Sequence, residues 1–411
     1  MINSWTRARL LRSMAAASLA MGLHCGVAAQ VAAFERPQDG VYADHIDWGL
    51  TADLSGPASA AQLPYHNGFQ SAVRAFNDKG GTSGRKINVL AEDTRYDATA
   101  ERIAYEKFVS QTPTLGTSGM GNSNAQVALL PLIKREKLPV LGTYASARAA
   151  IEPANPYFYG GFCGFREMAQ VGVGFFTDHL KLAQPKVAVV HLDVASGKEY
   201  AAHIEAAVGA RGGVTKAMPI KVVAADATPQ VLEILAMKPD FVAIHGVPTT
   251  AILVMKAMQQ YGIDVPTFAI TYLGTPGVYQ SLGPQIGKSY YFVSCFSPAS
   301  SDEKAAADLS AAADKNGFSA SKDDINFVAG WVAGQLVTEA LAKAGPEPTR
   351  ESLTAMLNGG FELDTHGLSS PLKYTPDNHA GLQVLKPFAY DYETKKFKTF
   401  GDYKDFEKYL K

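Results

Sequence analysis

Apolar positions along the chain switch between two periods. Residues 47–54 (DWGLTADL) form a short apolar-rich run that predicts a strand, and Ser55, Gly56 and Pro57 predict a turn after it. In the following GFQSAVRAFNDKGG, Phe69, Val73 and Phe76 recur at helical spacing until Gly80 and Gly81 stop the helix. The same alternation predicts a strand at INVLAED, a helix at TAERIAYEKFVSQ, a helix at AQVALLPLIKREK and a short strand at LPVLGT. Near Pro185 a second series starts, with KVAVVHLD, TKAMPIKVV, DFVAIHG and PTFAITY as strands. Between them EYAAHIEAAVGARGG, TPQVLEILAMK and TTAILVMKAMQQYG carry the helical period. Helices over 302–316 and 324–344 then precede a Gly- and Pro-rich tail of short strands that includes PFAYDYE.

Strands alternating with helices predict parallel sheets covered on both faces, and the restart predicts an α/β chain of two doubly wound, Rossmann-like lobes. Such lobes bind ligands outside the carboxyl ends of their strands, where helix amino termini offer unpaired N–H groups and a partial positive charge. A cleft between two lobes is therefore suited to a carboxylate.

Composition narrows the function. The 411 residues are 47% hydrophobic and 19% charged, enough for sizeable cores, and the net charge of -1 gives no field that would gather nucleic acid. The amino terminus places Arg7, Arg9 and Arg12 before an apolar stretch over 14–23 and small residues Val27, Ala28 and Ala29, which predicts a cleaved secretory signal over 1–29. The stretch is about half the length of a membrane span. Cys25 falls inside the segment removed, because His24 stands where a lipoprotein site wants a small residue. Export makes a bond between the remaining Cys163 and Cys295 chemically permissible, although spacing alone cannot pair them. The nine histidines are scattered singly with no metal-ligand spacing, so neither a metal nor a cofactor is expected.

Four segments in this order carry a resemblance: GLTADLSGP followed by NGF, FNDKGGTSGRKINVLAEDTRYD, KLPVLGTYAS, and NPYFYGGFCGFREMAQ. With them the chain resembles the type I periplasmic binding proteins, specifically the leucine/isoleucine/valine-binding receptors of branched-chain amino acid ABC transporters. The resemblance implies two lobes joined by three crossover hinge segments, over 159–166, 291–297 and 361–367. It assigns 44–162 plus 297–362 to the first lobe and 163–296 plus 363–411 to the second. Cys163 and Cys295 then fall on neighbouring crossovers, as a hinge disulfide or as two buried thiols.

The resemblance also implies ligand residues. The loops that hold the ligand's carboxylate correspond to GTSGMGNSNAQ and GTYASAR, where Asn122, Ser123, Ala145 and Ser146 match, the Asn and the two Ser also readable as ordinary helix caps. In the second lobe Ser196 stands where the family carries a Tyr, and Tyr272 with Leu273 stands where it carries the acid that neutralises the ligand's ammonium. A buried ammonium without a counter-charge costs several kcal/mol. The lost acid favours a carboxylate without an amine, and Tyr272, Tyr144 and Tyr65 suit an aromatic or hydrophobic one. An amino acid stands next, with Asp193 as an alternative partner for its ammonium.

The Gly-rich GTSGMGNSN lacks the spacing of a dinucleotide loop, and no G-x-S-x-G elbow or Ser, His and acid set is present. The expectation is a non-enzymatic periplasmic receptor. It acts as a monomer, closes about a hinge and hands its small-molecule carboxylate to ABC transporter permease subunits, with no role for nucleic acid. The alternatives are a sensing module of the same fold and a secreted α/β enzyme.

Overall fold

The computed structural model describes residues 34–145 and 147–410, so the predicted signal over 1–29 and Ser146 lie outside the described residues. The first half of the chain runs β1 His45–Ala52, α1 Ser59–Asp78, β2 Lys86–Asp93, α2 Ala98–Ser110, β3 Thr117–Gly119, α3 Ser123–Glu136, β4 Val140–Thr143, α4 Arg148–Ile151 and β5 Phe158–Gly160. These strands form a parallel sheet in the order β2-β1-β3-β4-β5. The order reverses at β1, so the ends of β1 and β3 open on the crevice where such sheets bind ligands.

The second series begins with α5 Phe165–His179 and runs β6 Lys186–Leu192, α6 Ala195–Gly209, β7 Val214–Ile220, α7 Thr228–Met237, β8 Phe241–His245, α8 Pro248–Gln260, β9 Thr267–Ala269, α9 Pro276–Gly287 and β10 Tyr290–Ser294. The chain then returns to cover the first sheet with α10 Ala307–Lys315, α11 Ile325–Ala344 and α12 Arg350–Asn358. It ends in β11 Phe361–Leu363, β12 Leu372–Thr375, β13 Asn378–Leu382, β14 Lys386–Asp391, β15 Lys396–Thr399 and α13 Tyr403–Phe406. The second sheet has seven strands in the order β15-β14-β10-β9-β8-β6-β7, parallel from β10 to β7, with β14 and β15 added antiparallel.

The first core is centred on α11, which is apolar almost all round and buried along most of its length. It lies directly on α1. A Cβ on Gly68 would meet the carbonyl oxygen of Phe327 at 2.0 Å, and one on Gly330 would meet that of Tyr65 at 1.9 Å. Only glycine permits this backbone-to-backbone approach.

Three places differ from the sequence reading. The strand expected at PTFAITY stops at Ala269, and Thr271–Leu273 coils into a 3-10 turn, with the Leu273 and Gly274 amides donating to the Ile270 and Thr271 carbonyls. The helix expected over 302–316 begins only at Ala307. The third crossover, expected over 361–367 with the second lobe resuming at 363, comes later. Residues 361–382 form a three-stranded antiparallel sheet fastened to the first lobe: Tyr374 Oη donates to the Gly160 carbonyl at 2.6 Å, and Ala380 packs on the apolar cluster that α2, α3 and α4 form against the first sheet. The chain joins the second sheet only where β14 pairs with β10, from Lys386. Residues 368–370 do run beside the second crossover, where Ser297 N donates to the Leu368 carbonyl and Ser370 N to the Cys295 carbonyl.

Candidate functional site

Four helices begin at one cavity. In the first lobe α1 follows β1 and α3 follows β3; in the second, α6 follows β6 and α8 follows β8. Ala58, Ala61 and Gln62 at the start of α1, Ser123 of α3, Ser196 of α6 and Val247 before α8 line one small space. Amino termini of helices favour negative charge, and here two from each lobe point at one small volume.

The lobes touch across this cavity. Ser196 N donates to Ser123 Oγ at 3.3 Å and Ala195 N donates to Asn124 Oδ1 at 3.2 Å, so the structure is closed. Between the lobes runs a column of rings. Tyr144 packs against Tyr65 at 4.9 Å, Phe162 at 5.2 Å and Tyr272 at 5.0 Å, and Phe162 stacks on Tyr272 at 4.4 Å. Asn326, at the start of α11, joins the two sides: its Oδ1 accepts from Tyr144 Oη at 2.7 Å and its Nδ2 donates to the Tyr272 carbonyl at 3.1 Å. Beneath the column Cys163 and Cys295 are linked as a disulfide, with Cα atoms 6.0 Å apart.

Of the residues singled out from sequence, Ser123, Tyr144, Ala145, Ser196 and Tyr272 line the cavity. Asn122 stands just behind, capping α3 by accepting from Asn124 N and Ala125 N while its Nδ2 donates to the Tyr96 carbonyl. Tyr65 is also behind the wall, its Oη donating to the Gly142 carbonyl at 2.7 Å and its ring backing Tyr144. Ser146 lies outside the described residues. Asp193 is not in the lining: its carboxylate is 57% exposed and paired with Lys198 at 2.9 Å. Gln62, Tyr96, Phe165, His245 and Val247 line the cavity without having been singled out. Their shared signal is position, at a strand's carboxyl end or in the loop or first helical turn that follows.

No acidic, lysine or arginine side chain is among the described lining residues. Behind them the Asp53 carboxylate is occupied by the amides of Gly56 and Ala58 at the start of α1. The imidazole among the described lining residues, His245, is 3% exposed; burial, then the neighbouring His191, pushes its pKa down to about 3, so it is neutral at ordinary pH. Its Nδ1 has no hydrogen-bond partner, and neither has Tyr272 Oη, on a residue 7% exposed. Burial holds the Tyr272 phenol far above its usual range and raises Tyr96 to about 12, so both rings present neutral hydroxyls. The site combines helix-terminus N–H groups, aromatic walls and neutral hydrogen-bonding groups. Among the described lining residues no hydroxyl is hydrogen-bonded to an imidazole or a carboxylate.

The sequence profile of the periplasmic binding proteins matches residues 46–391. The chain belongs to the periplasmic binding protein family. Its fold is shared with a fatty acid ABC transporter substrate-binding protein from Thermomonospora curvata, at 19% identity, a TM-score of 0.79, and coverage of 90% of this chain and 94% of that one. An ABC transporter substrate-binding protein from Aeropyrum pernix superposes with a TM-score of 0.78 at 22% identity over 89% of this chain and 98% of its own. A branched-chain amino acid ABC transporter protein from Thermus thermophilus, solved with bound valine, gives a TM-score of 0.79 at 16% identity over 87% and 96%. No curated protein matches the sequence. Open α/β sheets take ligands in the crevice outside the carboxyl ends of their strands, and the cavity at the starts of α1, α3, α6 and α8 lies at those ends.

Proposed function

We propose that this periplasmic binding protein captures a small aromatic or hydrophobic carboxylate and delivers it to the permease of an ABC importer. The observation that carries the reading is the cavity's charge pattern: four helix amino termini face it while no acidic side chain is among its described lining residues. A carboxylate is stabilised by those termini, whereas an α-ammonium buried there would lack a counter-charge at a cost of several kcal/mol. Ser123 supplies a hydroxyl to the carboxylate end, Ser196 begins the opposing helix, and Tyr144, Phe165 and Tyr272 pack the apolar body. The protein is exported through a cleaved signal, works as a monomer in the periplasm and performs no chemistry on its ligand.

Binding proceeds by hinge closure. The ligand settles first on the first lobe, and the second lobe folds over it until Ser196 N reaches Ser123 Oγ. Closure excludes water and so strengthens each hydrogen bond to the carboxylate. The permease then recognises the closed form, which makes docking a shift of a two-state equilibrium. A second reading, a branched-chain amino acid, is favoured by the valine in the Thermus thermophilus relative. A thermal-shift screen separates the two: a ligand at 100 times its Kd adds about 2.7 kcal/mol, an easily read rise in Tm. Stabilisation by benzoate, phenylacetate or 4-methylpentanoate and none by leucine or valine is expected; the reverse pattern overturns the reading.

A further inference from the structure

Asn326, in the first turn of the apolar helix α11, has no exposure to solvent. Burying an amide is costly unless its hydrogen bonds are made, and here both ends are bonded. Oδ1 accepts from Tyr144 Oη at 2.7 Å, while Nδ2 donates to the Tyr272 carbonyl at 3.1 Å and to Asp324 Oδ1 at 3.2 Å. A carbonyl only accepts, so the nitrogen must face Tyr272 and the amide cannot turn over. α11 packs on α1 of the first lobe, whereas Tyr272 sits in the turn after β9 of the second. The bond is therefore a tie between the lobes made wholly of protein groups. The other interlobe contacts are weaker in kind. Arg166 and Glu152 pair at 3.3 Å with side chains 30% and 40% exposed, and such pairs contribute little. The bond from Ala195 N to Asn124 Oδ1 lies at an exposed edge where water can replace it, and the buried one from Ser196 N to Ser123 Oγ is long at 3.3 Å.

We infer that Asn326 is the positioning residue of closure, a tie that holds a share of the protein closed before any ligand arrives. This rests on the proposed hinge closure. In the closed form, removing the amide leaves Tyr144 Oη and the Tyr272 carbonyl buried without a partner; opening lets water reach the carbonyl. Truncating Asn326 thus penalises the closed form more than the open one. With a closed share already present, capture is in part a selection among existing forms, and Asn326 sets how large that share is.

The test is pulsed electron paramagnetic resonance on the mature protein, dialysed from denaturant to remove any co-purified ligand. Spin labels go on Lys134→Cys of α3 and Glu205→Cys of α6, both exposed; Cys163 and Cys295 are bonded to each other and take no label. Two interlobe distances, or the shorter alone, are expected with Asn326 in place. In Asn326→Leu, which matches the side chain in shape, the ratio of short to long should fall about tenfold. A merely structural role would lower the melting temperature and leave that ratio unmoved. If circular dichroism shows that Asn326→Leu does not fold, Asn326→Ser, too short to reach both partners, takes its place with the same outcomes. An equal ratio with and without Asn326, or only the long distance with it, overturns the tie and leaves hinge closure standing. One and the same short distance in both proteins overturns hinge closure as well.

Discussion

The two walls of the cavity are built on opposite principles. In the first lobe the groups that tie the cavity loops together are satisfied by the protein itself, while elsewhere in that lobe both Glu101 oxygens and Thr117 Oγ1 have no partner. Gln126, fully buried, donates to the carbonyls of Met120 and Ala145 and accepts from Ala147 N, tying the two predicted ligand loops together. Gln62 Oε1 accepts from Asp53 N, and Ser118 Oγ accepts from Trp48 and donates to the Leu141 carbonyl. In the second lobe His245 Nδ1, Tyr272 Oη and, one layer deeper, Tyr200 Oη have no partner. A self-satisfied wall holds its shape without ligand and gives a first docking surface. A wall with unpaired atoms has a reason to discriminate among ligands, because only the right one completes it.

Substitutions should therefore act with opposite sign on the two sides. The largest effect is expected from Gln126→Leu, which strands two carbonyls and an amide; at about 1–3 kcal/mol for each buried unpaired group, it should lower stability by roughly 3 kcal/mol or more in urea unfolding. Breaking the link between the two crossovers comes next. Replacing both Cys163 and Cys295 by Ser opens a bridge across a sequence separation of 132, and a loss of about 2–5 kcal/mol is expected in the same assay.

A pH titration sharpens the comparison further. Burial raises the Glu101 carboxyl of the first lobe to about 7 against an ordinary 4.5, so between these values the folded state holds more proton than the unfolded state. Stability from this group falls as pH rises through that window. His245 works the other way: with a folded pKa of about 3 against 6.5, the unfolded state takes the proton first, and stability is lost as pH falls from about 6.5 toward 3. Glu101→Gln should accordingly stabilise the protein at pH 8, by ~1–3 kcal/mol, with the gain gone by about pH 4.5. The smallest effect is expected from Tyr272→Phe. Removing a buried hydroxyl that has no partner should leave the empty protein unchanged or more stable by up to about 1 kcal/mol, whereas destabilisation beyond that would contradict the contrast between the walls.

The sequence made the alternation of strands and helices legible because nearly every buried strand is an apolar run and nearly every helix carries its period. It hid what is short. β11, β12 and β13 are three to five residues each among Gly and Pro, so the late return to the second sheet left no periodic trace. Site residues were readable where a polar side chain interrupts a loop after a strand, as at Ser123, Ser196 and Tyr272. His245 escaped because a single histidine ending an apolar strand looks like core, which by burial it is. Tyr65 stands behind the wall, and an aromatic residue type alone does not separate a ring that lines a cavity from one that supports the ring lining it.

The central claim, that this site takes a carboxylate and refuses the ammonium beside it, is tested most directly by calorimetric titration of the mature protein with two pairs that differ only in that group: 3-phenylpropanoate against phenylalanine, and 4-methylpentanoate against leucine. The account predicts that in each pair that binds, the acid without the amine binds at least tenfold more tightly. Tighter binding of phenylalanine or leucine would contradict it.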